Sequence, residues 1–164
     1  MGPNMTPVGI LDRFDGEFAA AGVLGHWVTP DEVGEMPNFK GAYVLALCLD
    51  KAIHIEFPGV TCDQLMPGWY VYVGSARGSG GIRARIKRHF QHGKTAHWHI
   101  DLLTMHAVEM AALAVTDGHE CELVDKLLES LRFKVAAAGF GSTDCSRCES
   151  HLLTIPTPAS RLPI

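Results

Sequence analysis

Between Asp63 and Asp101 the chain has no carboxylate, although that span holds Arg77, Arg83, Arg85, Lys87, Arg88 and Lys94. The whole chain is mildly acidic, with 14 Lys+Arg against 18 Asp+Glu, so the cationic stretch is local and does not reflect general basicity. An acid-free surface lowers the cost of approaching a polyanion. Long apolar runs are also missing. The longest, Phe18–Val28 and Tyr43–Leu49, fall short of a membrane span, and the first is broken by Gly and His, so no membrane is expected as a partner. No basic residue precedes Arg13 and no continuous apolar segment stands at the start, so the N-terminus does not read as a secretory signal. The cysteines (Cys48, Cys62, Cys121, Cys145 and Cys148) are odd in number. That argues against a secreted disulfide framework and for a reducing compartment, and the expectation is a soluble cytoplasmic protein. Asparagine occurs only at Asn4 and Asn38, both ahead of the core. No internal repeat or low-complexity tract is present.

What is present suffices for one domain: 164 residues at 47% hydrophobic can bury a core. Composition divides the chain into an N-terminal extension of unknown role (1–38), a folded domain (39–155) and a Pro-rich tail (156–164). The extension shows one short helix, near Leu11–Ala21. Tyr43–Leu49 is apolar at nearly every position, as in a strand buried on both faces. Ile53–Phe57 reads as its hairpin return and Trp69–Val73 as a further strand. The glycine-rich turn Gly74–Gly81 feeds a helix to about Gln91, with Ile82, Ile86 and Phe90 as the inner stripe. A second helix is expected over Trp98–Met105, a strand over Ala107–Val115, and a helix after Asp117 with Val124, Leu127, Leu128 and Leu131 inward. This order predicts an α+β domain with a small central, mainly antiparallel sheet flanked by helices.

Within the acid-free stretch, the arginines and the backbone amides where the helix begins suit phosphate oxygens. Ser75 in the turn and Arg77, Arg83, Lys87, Arg88 and Lys94 around it are candidate nucleic-acid contacts. Arg85 and His89 lie one turn apart and project together at the edge of the buried stripe. That suits a phosphate clamp, but spacing alone favours the alternative, a solvated basic helix with Arg85 snorkelling. Glu120 shares a helix face with Val124 and Leu127. A carboxylate there needs a metal, a cation or a backbone donor. A capping arrangement with Asp117 is the alternative, and spacing leaves both open. Tyr43 and Tyr72 sit near strand ends; a tyrosine is a poor base at neutral pH unless an arginine or a metal lowers its pKa.

These residues together resemble the GIY-YIG endonuclease family. The resemblance runs through Gly41-Ala-Tyr43, Tyr72-Val-Gly74-Ser75, Arg85 with His89, and Glu120. The runs Tyr-Val-Gly-Ser-Ala-Arg-Gly, His97-Trp-His-Ile-Asp101 and Gly139-Phe-Gly-Ser-Thr-Asp-Cys145, with Cys148 and His151 following, resemble its Uri-type branch. It spans Gly41 to Leu153. Ala42 and Val73 stand where the family name has isoleucines, a change that packing tolerates. The resemblance implies hydrolysis of nucleic-acid phosphodiesters, of DNA rather than RNA, in DNA repair or processing, with one divalent metal (Mg2+ or Mn2+). It implies that Glu120 holds the metal and Tyr43 lies at the attacking water as base or orienter. Tyr72 would bond in the same centre, Arg85 would stabilise phosphate charge, and His89 would assist Tyr43. A non-catalytic nucleic-acid-binding module of the same fold is the alternative.

Two clusters stand apart. Cys145, Cys148 and His151, with Cys121 as a fourth ligand, have the composition of a structural zinc site, which supports a third reading as a zinc-stabilised adaptor. A packed, reduced cysteine pair is the competing account, with Asp144 and the Gly139–Gly141 turn shaping a cleft wall. His97, His99 and Asp101 form H-x-H-x-D, which in a metal hydrolase would need further ligands in an order this chain lacks. Phosphate or base contacts by His97 and His99, and helix capping, are the alternatives. Gly74–Gly81 is followed by no Gly-Lys-Ser/Thr and has no acidic partner, so no nucleotide cofactor is expected.

Overall fold

The run from Gly41 to Leu49 is buried at every position, and a strand with no polar face must have cover on both sides. The computed structural model, which describes residues 7–142 and 145–155, supplies that cover. In chain order the elements are α1 (Pro7–Ala20), β1 (His26–Val28), a 3-10 turn (Val33–Glu35), β2 (Gly41–Leu49), β3 (Ile53–His54), β4 (Gln64–Leu65) and β5 (Gly68–Ala76). There follow α2 (Gly81–Phe90), α3 (His99–Thr104), β6 (Glu109–Thr116), α4 (Glu120–Glu129), β7 (Lys134–Val135) and β8 (Leu152–Thr154). Six strands form one antiparallel sheet in the order β1-β6-β2-β5-β8-β7. The α+β class expected from the sequence is the class observed.

Alternate residues of β2 enter different cores. Tyr43, Leu45, Leu47 and Leu49 pack with Ile82, Ile86 and Phe90 of α2 and with Ile100 and Leu103 of α3. Ala42, Val44, Ala46 and Cys48 face Phe14 and Phe18 of α1 and Leu123, Val124 and Leu127 of α4. The part of the 1–38 segment from Phe14 onward is thus built into the domain: β1 pairs with β6, and Phe14 and Phe18 are buried in the second core. The tail at 156–164 lies outside the described residues.

Three local expectations need correction. Ile53–Phe57 does not return beside β2, because β5 and β6 occupy both of its edges. Only Ile53–His54 is strand, and it pairs with β4 in a separate ribbon. Leu131 is 83% exposed, since the chain leaves α4 before it and turns through a left-handed φ of 62°; Leu123 takes the inner place instead. Asp117 does not cap α4. It adopts φ 57°, the N-cap is His119, and Glu120 is the first helical residue.

The start of α2 is also closed from within. Asn38 Oδ1 accepts from the Arg83 backbone N–H at 3.2 Å, and Phe39 O accepts from Ile82 N–H at 2.8 Å. Gly81, at φ 68°, brings the backbone so near that a Cβ would meet Asn38 Oδ1 at 2.5 Å. The first three amides at this helix start, expected to face phosphate, are therefore committed within the chain, Gly81 to Gly78 O, Ile82 to Phe39 O and Arg83 to Asn38 Oδ1.

Candidate active site

The β2–β5 register fixes the first wall. Tyr43 lies opposite Gly74, and Leu45 opposite Tyr72. A Cβ on Gly74 would run into the Tyr43 phenol, so the glycine lets the ring lie across the neighbouring strand. Both tyrosines then point to the side covered by α2. There a cleft of about 480 Å3 is lined by Tyr43, Tyr72, Arg85 and Glu120, among others. Four elements far apart in sequence thus deliver the expected catalytic side chains to one cavity.

His89, the fifth, stands behind the cleft and not in its lining. It is wholly buried, and its Nε2 is 2.6 Å from Tyr43 Oη. Burial first, then the nearby charges of Lys94, Arg88 and Arg85, push its pKa down to about 3. Burial also raises Tyr43 well above the ordinary phenol value, and Tyr72 adds to this while Arg85 only partly opposes it. Both partners are therefore neutral at pH 7 and share one proton across a short bond, whose direction the imidazole tautomer sets. The imidazole Nδ1 is buried with no hydrogen-bond partner. Tyr72 is raised to about 12, by burial and then by the Glu120 charge, and remains a phenol. Arg85 thus does not make either tyrosine a resting base.

Arg85 rests on a surface the sequence reading passed over. Its guanidinium carbon is 4.6 Å from the centre of the Trp98 ring, within cation–π range. Arg88 approaches the same ring at 4.8 Å, but its role departs from the expected phosphate docking. Its Nη2 donates to Asp101 Oδ2 at 2.7 Å, and Asp101 is fully buried. That carboxylate also accepts from the backbone N–H groups of His97 and Trp98, at 2.7 and 2.9 Å. Burial opposes its charge, yet the two backbone donors and Arg88 outweigh burial and hold its pKa below the ordinary value. Arg88 and Asp101 brace α2 against α3.

Asp101 is consequently no metal ligand, and the H-x-H-x-D hydrolase reading fails. His97 and His99 both line the cleft, with His99 stacked on Phe57 at 4.2 Å. The remaining cations also divide. Lys94 is not a free docking charge, because its Nζ donates to the last carbonyls of α2, those of Arg88 and His89. Arg77 lines the cleft beside Ser75 while donating to the carbonyls of Asp117 and Gly118, and so holds the loop that leads into Glu120. Arg83 and Lys87 are exposed on α2.

The opposite wall comes from α4 and the loop after β7, through Glu120, Gly141, Cys145 and His151. Asp144 lies outside the described residues. Cys121, Cys145, Cys148 and His151 bring their ligand atoms within 4.8 Å of one another. Three soft sulfurs and an imidazole are a donor set that can hold a metal such as zinc, and not one suited to magnesium.

A family model described as "Domain of unknown function DUF123" matches residues 42–162. The chain belongs to the DUF123 family. The DUF123 match begins within β2 and takes in Tyr43, Tyr72, Arg85, His89, Glu120 and all four soft ligands, while α1 and β1 precede it. No curated protein and no solved structure matches the chain. No helix among the described residues is long and apolar enough to cross a membrane.

Trp98 and Asn38 are the working residues that the sequence did not reveal. Trp98 carried a signal, as the aromatic residue inside the histidine run of an acid-free stretch. Asn38 carried none, because its partners are formed only when β2 docks beside α2.

Proposed function

We propose that this DUF123 protein is a GIY-YIG-like, Uri-type endonuclease that hydrolyses phosphodiesters in nucleic acid, DNA rather than RNA, and works in a reducing cytoplasm. The observation that carries this is the convergence of Tyr43, Tyr72, Arg85 and Glu120 on one cleft, with His89 bonded behind Tyr43. A phosphate seated between Arg85 and the tyrosines would meet a guanidinium already oriented by Trp98. Charge developing on its oxygens is what a preplaced cation stabilises. Tyr43, held neutral by burial, orients the attacking water. Its hydroxyl is held in place by the bond to His89 Nε2, and the imidazole stays uncharged because burial disfavours its protonation. Tyr72 donates a second hydrogen bond in the same centre.

Glu120 is the carboxylate of the cleft lining. One carboxylate facing open space suits magnesium or manganese, which keep several waters and complete their shell with substrate phosphate. Such an ion would supply charge for the leaving oxygen. Ser75, Arg77, His97 and His99 line the approach, and Arg83 and Lys87 extend it outward.

The test is cleavage of plasmid and single-stranded substrates with magnesium or manganese, by wild type and by Glu120→Ala. Cutting by the wild type and none by a folded Glu120→Ala protein is expected. Salt-dependent binding without cutting of any substrate would leave a nucleic-acid-binding module of this fold in place of an enzyme.

A further inference from the structure

The ligand atoms of Cys121, Cys145, Cys148 and His151 come from two parts of the chain: the first turn of α4, which carries Cys121, and the loop between β7 and β8, which carries the other three. Folding brings Cys121, 24 residues before Cys145 in the chain, onto the three donors of the loop. The Cys121 and Cys145 sulfurs are 3.4 Å apart, at hydrogen-bonding distance, and none of the five cysteines forms a disulfide. Sulfurs bound tetrahedrally at about 2.3 Å to one zinc ion lie roughly 3.8 Å apart, so the set needs only small adjustment. His151 is 3% exposed, and its Nε2 is buried with no hydrogen-bond partner. A buried imidazole nitrogen with neither donor nor acceptor is costly, and coordination through that nitrogen would give it a partner. Cys48 and Cys62 lie elsewhere, in β2 and in the loop before β4.

The geometry points to a closed, four-ligand zinc site formed by Cys121, Cys145, Cys148 and His151, which fixes the end of α4 that presents Glu120 to the cleft. Four protein ligands leave zinc no open position, so the ion is structural and not the one that would act on substrate. Two links tie it to Glu120. Cys121 is the next residue in the chain, and His151 Nδ1 lies 3.8 Å from Glu120 Oε2. Zinc would thus hold together α4, the loop and β8, which the sheet hydrogen bonds alone do not join. The site stands whether or not the protein cuts nucleic acid.

Full-length protein purified without added metal or chelator should contain about one zinc per chain by elemental analysis. Metal-stripped, reduced protein titrated with cobalt(II) should develop tetrahedral d–d bands and a thiolate charge-transfer band that saturate at about one equivalent. Cys148→Ser should weaken cobalt binding at least tenfold, whereas Cys62→Ser and Glu120→Gln should leave the spectrum unchanged. Hydrogen exchange should show residues 119–125 more protected with zinc than without it. A reduced wild type that is folded by circular dichroism, holds no zinc and gives no cobalt spectrum would overturn the site. So would a spectrum that Cys148→Ser does not alter, and unchanged exchange at 119–125 would overturn the fixing of α4. Should Cys148→Ser fail to fold, the cobalt titration of stripped wild type decides. These readouts are independent of cleavage, so the zinc site and the nuclease reading can fail separately.

Discussion

The two walls of the cleft are built in different ways. The wall of β2, β5 and α2 is held by strand pairing from Gly41↔Ala76 to Leu49↔Gly68, by the Tyr43–His89 bond and by the buried Arg88–Asp101 brace. Its functional groups are placed by folding itself. The wall of α4 and the loop after β7 hangs from a helix start, short hydrogen bonds such as Gly139 N–H to Glu149 O, and a knot of cysteines. One wall is preorganised protein; the other asks for a ligand. The difference teaches that the placement of Tyr43 and Arg85 should tolerate loss of metal, whereas that of Glu120 should not, and that damage to the contacts holding the first wall together should appear as lost stability.

The largest effect should come from the brace. Asp101→Ala leaves Arg88 half-buried without its partner and strips two backbone donors of their acceptor. Removing one member of a buried pair typically costs about 3–5 kcal/mol, and urea denaturation should show a loss in that range. A loss under about 1 kcal/mol would mean that this wall is no more locked than the other, because exposed pairs are worth that little.

Arg85→Ala should act on chemistry and hardly on stability. Loss of a preplaced donor in such centres lowers turnover by about 10²–10³-fold, whereas Lys87→Ala, an exposed neighbour on α2, should chiefly weaken binding and flatten its salt dependence. Equal losses of cleavage in the two variants would erase the distinction between a cleft arginine and a docking lysine.

Gly74→Ala probes the strand register directly. The new methyl group meets the Tyr43 phenol, whose oxygen is already bonded to His89 and so cannot swing away cheaply. Overpacking of this kind costs about 1–3 kcal/mol. The variant should unfold earlier in urea and cleave poorly, while its zinc content stays that of wild type. A coupled fall in zinc would show that the walls are not independent.

What the sequence disclosed follows the same division. The pattern of β2 and the Ile82/Ile86/Phe90 stripe were legible because they depend on local periodicity, whereas the strand register that sets Tyr43 opposite Gly74 was not. The fates of the cations were not. Arg85 and Arg88 lie on one turn of one helix and touch one tryptophan, yet only Arg88 meets a buried carboxylate, and spacing cannot show where Asp101 will turn. Lys94 looked like a docking charge because a helix C-terminus has no side-chain signature of its own until the chain folds back over it. Strand pairing misled at Ile53 for a like reason: alternation marks a strand but not its neighbour. Glu120 lines the cleft, and the capping alternative fails because Asp117 is left-handed and His119 is the N-cap, neither of which spacing could show.

The smallest effect per step is a pH dependence that belongs to the first wall alone. His89 titrates at about 3 in the folded protein against about 6.5 when unfolded. Below pH 6.5 the unfolded chain therefore binds a proton that the native state refuses. Stability is full above that value and falls as the pH drops from about 6.5 toward 3, by at most about 1.4 kcal/mol per pH unit for one proton. Asp101 adds its share lower down: its folded pKa is depressed, so its contribution is present above the unfolded value near 3.9 and is lost as the pH falls through the folded one. His89→Gln, which keeps a polar group for Tyr43 but takes up no proton, should flatten the urea midpoint between pH 6.5 and 4 and leave the steeper loss below pH 4. An unaltered slope in that variant would place the acid-sensitive group outside this wall, and the imidazole bonded to Tyr43 would then not be held neutral by burial.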